Sequence, residues 1–332
     1  MSRPWLRRTT SFVGFVALAG LLVIVGLATH QAYASWSTMR RWPAPGRLVD
    51  VGGGRRVHVE CDGEGQVRVV LIAGGGGLGW FWRDVRRQGA EALHATVCSY
   101  DRPGAGWSDA LNEPYSIAAE AKTLNGVLDA LGASEPVLIV GHSYGAFVAQ
   151  RFTSDHRPRL FALILVDPNT VFFRDRQASG TATDKEQARK LRFTVPLGLA
   201  RWSLRRQLAP AFSKRFPADA EMLVDILSTS KFMSAQVAQS LALHETFSAL
   251  RNWTPAADLP VTVISRGKSK QPAEEEALWL EGHERLVRGH PLGHRIVAHD
   301  SWHDVPRDQP AVIVEELQRQ MSQHANTPAI AK

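Results

Sequence analysis

Cysteine is scarce: the chain has two in 332 residues, which excludes a small scaffold stapled by disulfides. No internal repeat and no low-complexity tract is present, so solenoid, collagen-like and disordered architectures fall away. Acidic side chains are absent from the first 46 residues, where Arg3, Arg7, Arg8, Arg40 and Arg41 lie. The formal charge of +7 is therefore mostly a property of that segment, and the rest of the chain carries +2. A near-neutral body excludes the basic footprint of a nucleic-acid binder, so nucleic acid is not expected as a partner. What remains, 44% hydrophobic and 21% charged, is an ordinary globular composition long enough to bury a sizeable core.

Residues 12–28 contain no charge, Asn, Gln or Pro, and Thr29 and His30 extend the run. A helix crosses hydrocarbon with about 20 apolar residues, the lower limit being about 17. The three arginines before the run place the N-terminus in the cytoplasm and the body outside it. Two readings stay open. Ala32-Tyr33-Ala34 has the form of a signal-peptide cleavage site, which would release the body as a secreted or periplasmic protein. The run is longer than a usual signal core, which favours a retained single-pass anchor over residues 12–31. Residues 1–11 are then a basic cytoplasmic tail. Residues 32–46, with Trp36, Trp42, Pro43 and Pro45, read as an interfacial linker. Outside the cytoplasm, Cys61 and Cys98 are either two buried thiols or one disulfide.

After Gly46, β-branched runs alternate with helical patterns. Strands are predicted at 47–51, 55–61, 67–73, 96–100, 137–140, 162–167, 261–265 and 295–298. Helices are predicted over 81–93, 116–131, 144–154, 274–287 and 310–323. Such alternation predicts an α/β protein with a mostly parallel sheet, and Gly52-Gly53-Gly54 suggests an antiparallel hairpin at its start. The long stretch between Asp167 and Val261 has helical patterns over 220–232 and 234–250 and reads as an inserted cap, residues 171–255. Its Lys- and Arg-rich part, 174–215, reads as a solvated helical face, the alternative being a contact with anionic lipid head groups. The core then comprises 47–170 and 256–322, followed by a tail at 323–332.

Gly141-His142-Ser143-Tyr144-Gly145 follows an apolar run and precedes a helical pattern, which is G-x-S-x-G at a strand-to-helix turn. Small flanking residues let the turn lift the serine hydroxyl above the sheet, so Ser143 is the candidate nucleophile. Its base should follow late in the chain; His303, after the last strand, fits better than His299. The acid is less direct. The segment after 261–265 reads Arg266-Gly267-Lys268-Ser269-Lys270, with no carboxylate before Glu274 and Glu275. Asp167, ending the strand next to that of the nucleophile, is the first choice and Glu274 the alternative. Backbone N–H groups of Tyr144 and of Gly75, in the loop 73–79, are the expected oxyanion donors. No Lys-Ser/Thr pair follows that Gly-rich loop, so a phosphate cradle is the weaker reading. No cofactor and no metal is expected.

These residues resemble the α/β-hydrolase superfamily over 47–322. Besides the 141–145 turn, Tyr100-Asp101-Arg102-Pro103-Gly104-Ala105-Gly106-Trp107-Ser108 is similar to the Y-D-x-x-G-x-G-x-S element of that family. Ser301-Trp302-His303 with Arg307-Asp308-Gln309-Pro310 resembles its terminal histidine segment. The leader and Leu165-Val166-Asp167-Pro168 resemble a membrane-anchored branch. The resemblance implies an eight-stranded sheet with a helical cap after strand 6, and it implies neighbouring strands for Cys61 and Cys98. Ala73 stands where the family usually has His, and the usual acid after strand 7 is absent; some members carry their acid where Asp167 sits. The implied activity is a serine hydrolase acting on an ester, or an amide, of a small or lipophilic substrate. The alternative is a non-catalytic ligand-binding or sensor protein on a hydrolase scaffold. A carboxylate nucleophile, as in dehalogenases and epoxide hydrolases, is disfavoured by Ser143.

Overall fold

The computed structural model describes residues 4–176 and 180–326. Along the chain it contains α1 (Pro4–Arg41), β1 (Arg47–Asp50), β2 (Arg56–Asp62), β3 (Val67–Ile72), α2 (Arg83–Leu93) and β4 (Thr96–Tyr100). There follow α3 (Ile117–Ala130), β5 (Val137–His142), α4 (Gly145–Asp155) and β6 (Leu160–Val166). The helices α5 (Val171–Arg176), α6 (Gly180–Thr194), α7 (Leu199–Arg215), α8 (Ala220–Leu227), α9 (Ser230–Leu241) and α10 (Leu243–Leu250) come next. The chain closes with β7 (Val261–Arg266), α11 (Ala273–Val287), β8 (Gly293–Ala298), α12 (Val305–Asp308) and α13 (Pro310–Asn326). Two units are distinguished: Met1–Pro43 with Gln187–Val237, and Ala44–Glu186 with Ala238–Lys332.

In the second unit the eight strands form one sheet in the order β1-β2-β4-β3-β5-β6-β7-β8. The β1–β2 and β2–β4 pairs are antiparallel and the remaining pairs parallel. The sequence predicts this α/β class, and all eight strands occur. The central strands read as unbroken apolar runs because both of their faces are covered. Val70, Ile72, Ile139, Leu163 and Leu165 face a core shared with Leu124 and Leu128 of α3 and Phe147 and Phe152 of α4. Val69, Leu71, Val140 and Ile164, one residue out of phase, face a second core with Val85 of α2 and Ile313 and Leu317 of α13. Each fully buried aliphatic side chain here contributes about 1.5–3 kcal/mol relative to exposure. Cys61 pairs with Cys98 in the β2–β4 register, and the two are joined by a disulfide.

The first unit has a different construction. α1 does not end at residue 31 as the sequence reading expects but continues to Arg41, correcting the linker assigned to 32–46. No Pro or Gly lies between Ala28 and Trp42 to stop it. Gln31, Ser35, Thr38 and Trp42, spaced as one helical face, lie against the helices of 187–237. The Gln31 amide donates to Ser230 Oγ at 3.0 Å and to the Ser228 carbonyl at 3.4 Å. Ser35 Oγ accepts from the Ser230 amide at 3.0 Å. Trp42 Nε1 donates to Asp225 Oδ2 at 3.1 Å, and Asp225 also pairs with Arg205. The helical patterns over 220–232 and 234–250 are resolved into α8, α9 and α10. Ser228 and Thr229 break the first pattern by bonding back to the Val224 and Ile226 carbonyls.

Candidate active site

The site lies at the C-terminal ends of the parallel strands, where their loops converge. β5 ends in the turn to α4, and Ser143 takes φ +51°. A side chain at Gly141 would put its Cβ 2.6 Å from the Gly145 carbonyl oxygen, and one at Gly145 would meet the Ile72 carbonyl at 2.5 Å. Only glycine fits either place, which is the physical content of the pattern. Asp167, one residue beyond β6, is held at φ +37°, a second non-glycine residue in the left-handed region. Backbone bonds couple the two turns: the Ser143 amide donates to the Val166 carbonyl at 3.0 Å, and the Asn169 amide to the Ser143 carbonyl at 3.3 Å.

His303, in the loop between β8 and α12, meets both. Its Nε2 is 3.0 Å from Ser143 Oγ and its Nδ1 is 2.5 Å from Asp167 Oδ2. With Nδ1–H donating to the carboxylate, Nε2 is left to accept the serine proton. Glu274 is solvent-exposed in the first turn of α11, and His299 is likewise exposed. Neither is brought to Ser143.

Asp167 is fully buried and uses both oxygens. Oδ1 accepts the Arg266 amide at 3.1 Å and Trp279 Nε1 at 3.0 Å. Oδ2 accepts Arg266 Nη1 at 2.9 Å besides His303. Burial alone would raise its pKa. The His303 hydrogen bond and the charges of His283, His303 and Arg266 outweigh that and hold it well below the usual carboxylate range. Arg266 ends β7, where the sequence reading finds no carboxylate, and carries its charge back to the acid of the neighbouring strand. Glu276 takes its other amino group at 2.6 Å.

Two further histidines brace the turns. His142 Nε2–H donates to the His303 carbonyl at 2.8 Å, and burial, followed by the His303 ring, pushes its pKa down to about 3. His283 Nε2–H donates to the Pro168 carbonyl and its Nδ1 accepts from Ser265 Oγ, both at 2.9 Å. Burial pushes its pKa down to about 4, so both rings are neutral at neutral pH.

The Gly-rich loop abuts the serine. A Cβ on Gly74 would lie 3.2 Å from Ser143 Cβ, and one on Gly75 would lie 3.5 Å from Tyr144 Cβ. Among the described residues, neither the Gly75 nor the Tyr144 amide donates to a backbone carbonyl. Arg102 secures this loop by donating to the Gly74 carbonyl at 3.0 Å while pairing with buried Glu120 at 2.7 Å. Asp101 accepts the Gly79 amide at 2.8 Å. The polar side chain of Gln239 also points to Gly75, its Nε2 lying 3.1 Å from where a Cβ would stand.

Sequence reasoning misses Arg266, Trp279, His283, Gln239 and Arg102 as parts of the site. The one signal available was a cation at the end of β7 in place of an acid. Among the described residues no cluster of His, Cys, Asp and Glu is suited to a metal.

The alpha/beta hydrolase family model matches residues 69–316. An uncharacterised protein of Schizosaccharomyces pombe is 28% identical over 187 residues, 55% of this chain and 34% of that one. The chain thus spans about a third of that relative's length. Among solved structures, a thermophilic esterase from Thermogutta terrifontis superposes with a TM-score of 0.59 at 22% identity, covering 83% of this chain and 97% of its own. The enol-lactonase from Burkholderia xenovorans LB400 does so with a TM-score of 0.62 at 17% identity, covering 82% and 99%. At these identities the likeness is one of fold.

Proposed function

The chain belongs to the alpha/beta hydrolase family, and we propose that within it this protein is a serine hydrolase that cleaves a carboxylic ester through an acyl-enzyme on Ser143. The observation that carries the reading is the relay from Ser143 Oγ through His303 to Asp167, at 3.0 and 2.5 Å.

In this mechanism Ser143 Oγ attacks the ester carbonyl and its proton passes to His303 Nε2. The carbonyl oxygen becomes an oxyanion that accepts from the Gly75 and Tyr144 amides, each such donor lowering the barrier by about 3 kcal/mol. The tetrahedral intermediate collapses, and the leaving alkoxide takes the proton from His303. Water, deprotonated by His303, then attacks the acyl-enzyme and Ser143 recovers its proton. Asp167 remains ionised throughout, orients the imidazole and stabilises its charged form. A fluorophosphonate probe should label the wild type and not Ser143→Ala, which should also lose hydrolysis of short p-nitrophenyl esters. A folded wild type that neither labels nor turns over such esters would refute the reading.

We further propose that α1 is a retained single-pass anchor with the hydrolase body outside the cytoplasm. Phe12–Arg41 includes an exposed apolar window long enough to span a bilayer. Cleavage after Ala34 would separate Gln31 from Ser228 and Ser230, although that contact is buried and hydrogen-bonded. The Cys61–Cys98 disulfide suits an oxidising compartment. The membrane-bound protein should retain an N-terminal epitope and the full 36.6 kDa mass. A mass corresponding to a start at Ser35 would refute retention.

A further inference from the structure

The first unit exposes large apolar side chains beyond the α1 span. Phe193 is 73% exposed, Leu199 50% and Trp202 67%. Leu199 and Trp202 are three residues apart on α7 and share a face. Basic side chains surround them. Residues 187–218 contain no Asp or Glu, while Arg189, Arg192 and Arg206 are exposed, with the Arg206 guanidinium over the Trp202 ring at 5.6 Å.

The position of this patch along α1 is specific. Gly198, which caps the start of α7, faces Gln31: a Cβ at Gly198 would lie 3.2 Å from Gln31 Oε1 and 3.3 Å from its Cβ. Gln31 is three residues past Ala28, the end of the charge-free run, or about 4.5 Å along the helix axis. The polar headgroup layer is about 5–8 Å deep on each side of the hydrocarbon. The α6–α7 turn therefore stands beside the anchor at headgroup depth. On α1 itself, Tyr33 and Trp36 are exposed with ring centroids 5.7 Å apart, and Arg40 lies over Trp36 at 5.0 Å. Both elements thus present an aromatic ring beneath an arginine, Tyr33 standing about 7.5 Å and Trp36 about 12 Å past Ala28 along α1. That is the amphipathic chemistry of a bilayer interface.

We propose that the α6–α7 turn and the first two turns of α7 are a second membrane contact, seated in the headgroup layer of an anionic phospholipid surface. The proposal rests on the reading of α1 as a retained span. Phe193, Leu199 and Trp202 enter the boundary between headgroups and acyl chains. Arg189, Arg192 and Arg206 meet the lipid phosphates. Arg201 and Arg205 are not part of this contact, because they are committed to the Ser228 carbonyl and to Asp225.

The test uses the full-length chain reconstituted into phosphatidylcholine vesicles with or without phosphatidylglycerol. Its native cysteines are disulfide-bonded, so single added cysteines carry an environment-sensitive fluorophore at Phe15→Cys, Trp202→Cys or Lys214→Cys. A nitroxide on the lipid headgroup should quench position 202 about threefold more than position 214, which lies about 18 Å further along α7. Phosphatidylglycerol should strengthen quenching at 202, and Arg192→Glu with Arg206→Glu should abolish that gain. Equal quenching at 202 and 214, with position 15 protected by the acyl chains, would overturn this contact while leaving the span intact. Shielding of 202 from aqueous iodide without lipid quenching would assign the patch to a protein and overturn the proposal. A position 15 exposed to iodide would overturn the span and this contact together.

Discussion

The two units bury different things. In the hydrolase unit the strands are packed on both faces by apolar side chains, with a few buried polar groups such as His58, Ser99 and Thr262 among them. In the unit of α1 and residues 187–237, α7 has no buried residue, and α1 is held by Gln31, Ser35, Thr38 and Trp42. Apolar packing is non-directional and tolerant, whereas a polar interlock depends on each partner. The first unit should therefore respond to single polar substitutions away from the chemistry. In the second, polar substitutions should matter most at the site.

The largest effect should come from the acid. Asp167→Asn should lower kcat by about 10⁴-fold, because the amide favours the wrong imidazole tautomer. Glu274→Gln, exposed on α11, should leave kcat unchanged. Steady-state ester hydrolysis of the two variants side by side decides the point, and a full-activity Asp167→Asn would remove Asp167 from the mechanism.

Arg266→Met comes next. It leaves Asp167 and Glu276 without their shared cation and should destabilise the hydrolase unit by about 3–5 kcal/mol in denaturant titration. An unchanged midpoint would mean that Trp279 and the β7 amide suffice to hold the carboxylate.

Asp225→Asn strikes the other unit. Asp225 pairs with Arg205 and accepts from Trp42, so its loss should cost about 1–3 kcal/mol locally. Hydrogen exchange should accelerate across 187–237 while ester hydrolysis is retained. Uniform exchange in both variant and wild type would end the contrast between the units.

The effect of pH is spread over a range rather than tied to one bond. Unfolded His283 titrates at its ordinary 6.5, but in the folded chain its pKa is pushed down to about 4 by burial. Between those values the unfolded state binds more protons. The stability contribution is complete above pH 6.5 and is lost as the pH falls towards about 4, at up to about 1.4 kcal/mol per pH unit. Melting temperatures of wild type and His283→Gln across that range should diverge in slope; parallel curves would show that His283 does not contribute.

The same difference explains what could be read from sequence. The strands were legible because burial on both faces leaves uninterrupted runs such as Leu160–Val166. Ser143 was legible because its glycines are sterically obligatory, and the carboxylate beside His303 because Asp167 ends the adjoining strand. Arg266 was not legible, since its role arises only when β6 and β7 lie side by side. The course of α1 beyond residue 31 was hidden for a similar reason. Gln31, Ser35 and Thr38 look like solvent-facing residues until Ser228, Ser230 and Arg201 are brought opposite them.

α1 passes without a break from its apolar run into the stretch, Gln31 to Arg41, that packs against the helices of 187–237. With the helix as a retained span, the inclination of the α7–α8 unit is set by the tilt of the helix in the lipid. Tilt responds to bilayer thickness, and a thinner bilayer leans a long span further from the normal. The unit then behaves as the arm of a lever whose fulcrum is the membrane surface, and lipid composition becomes a mechanical input to the protein.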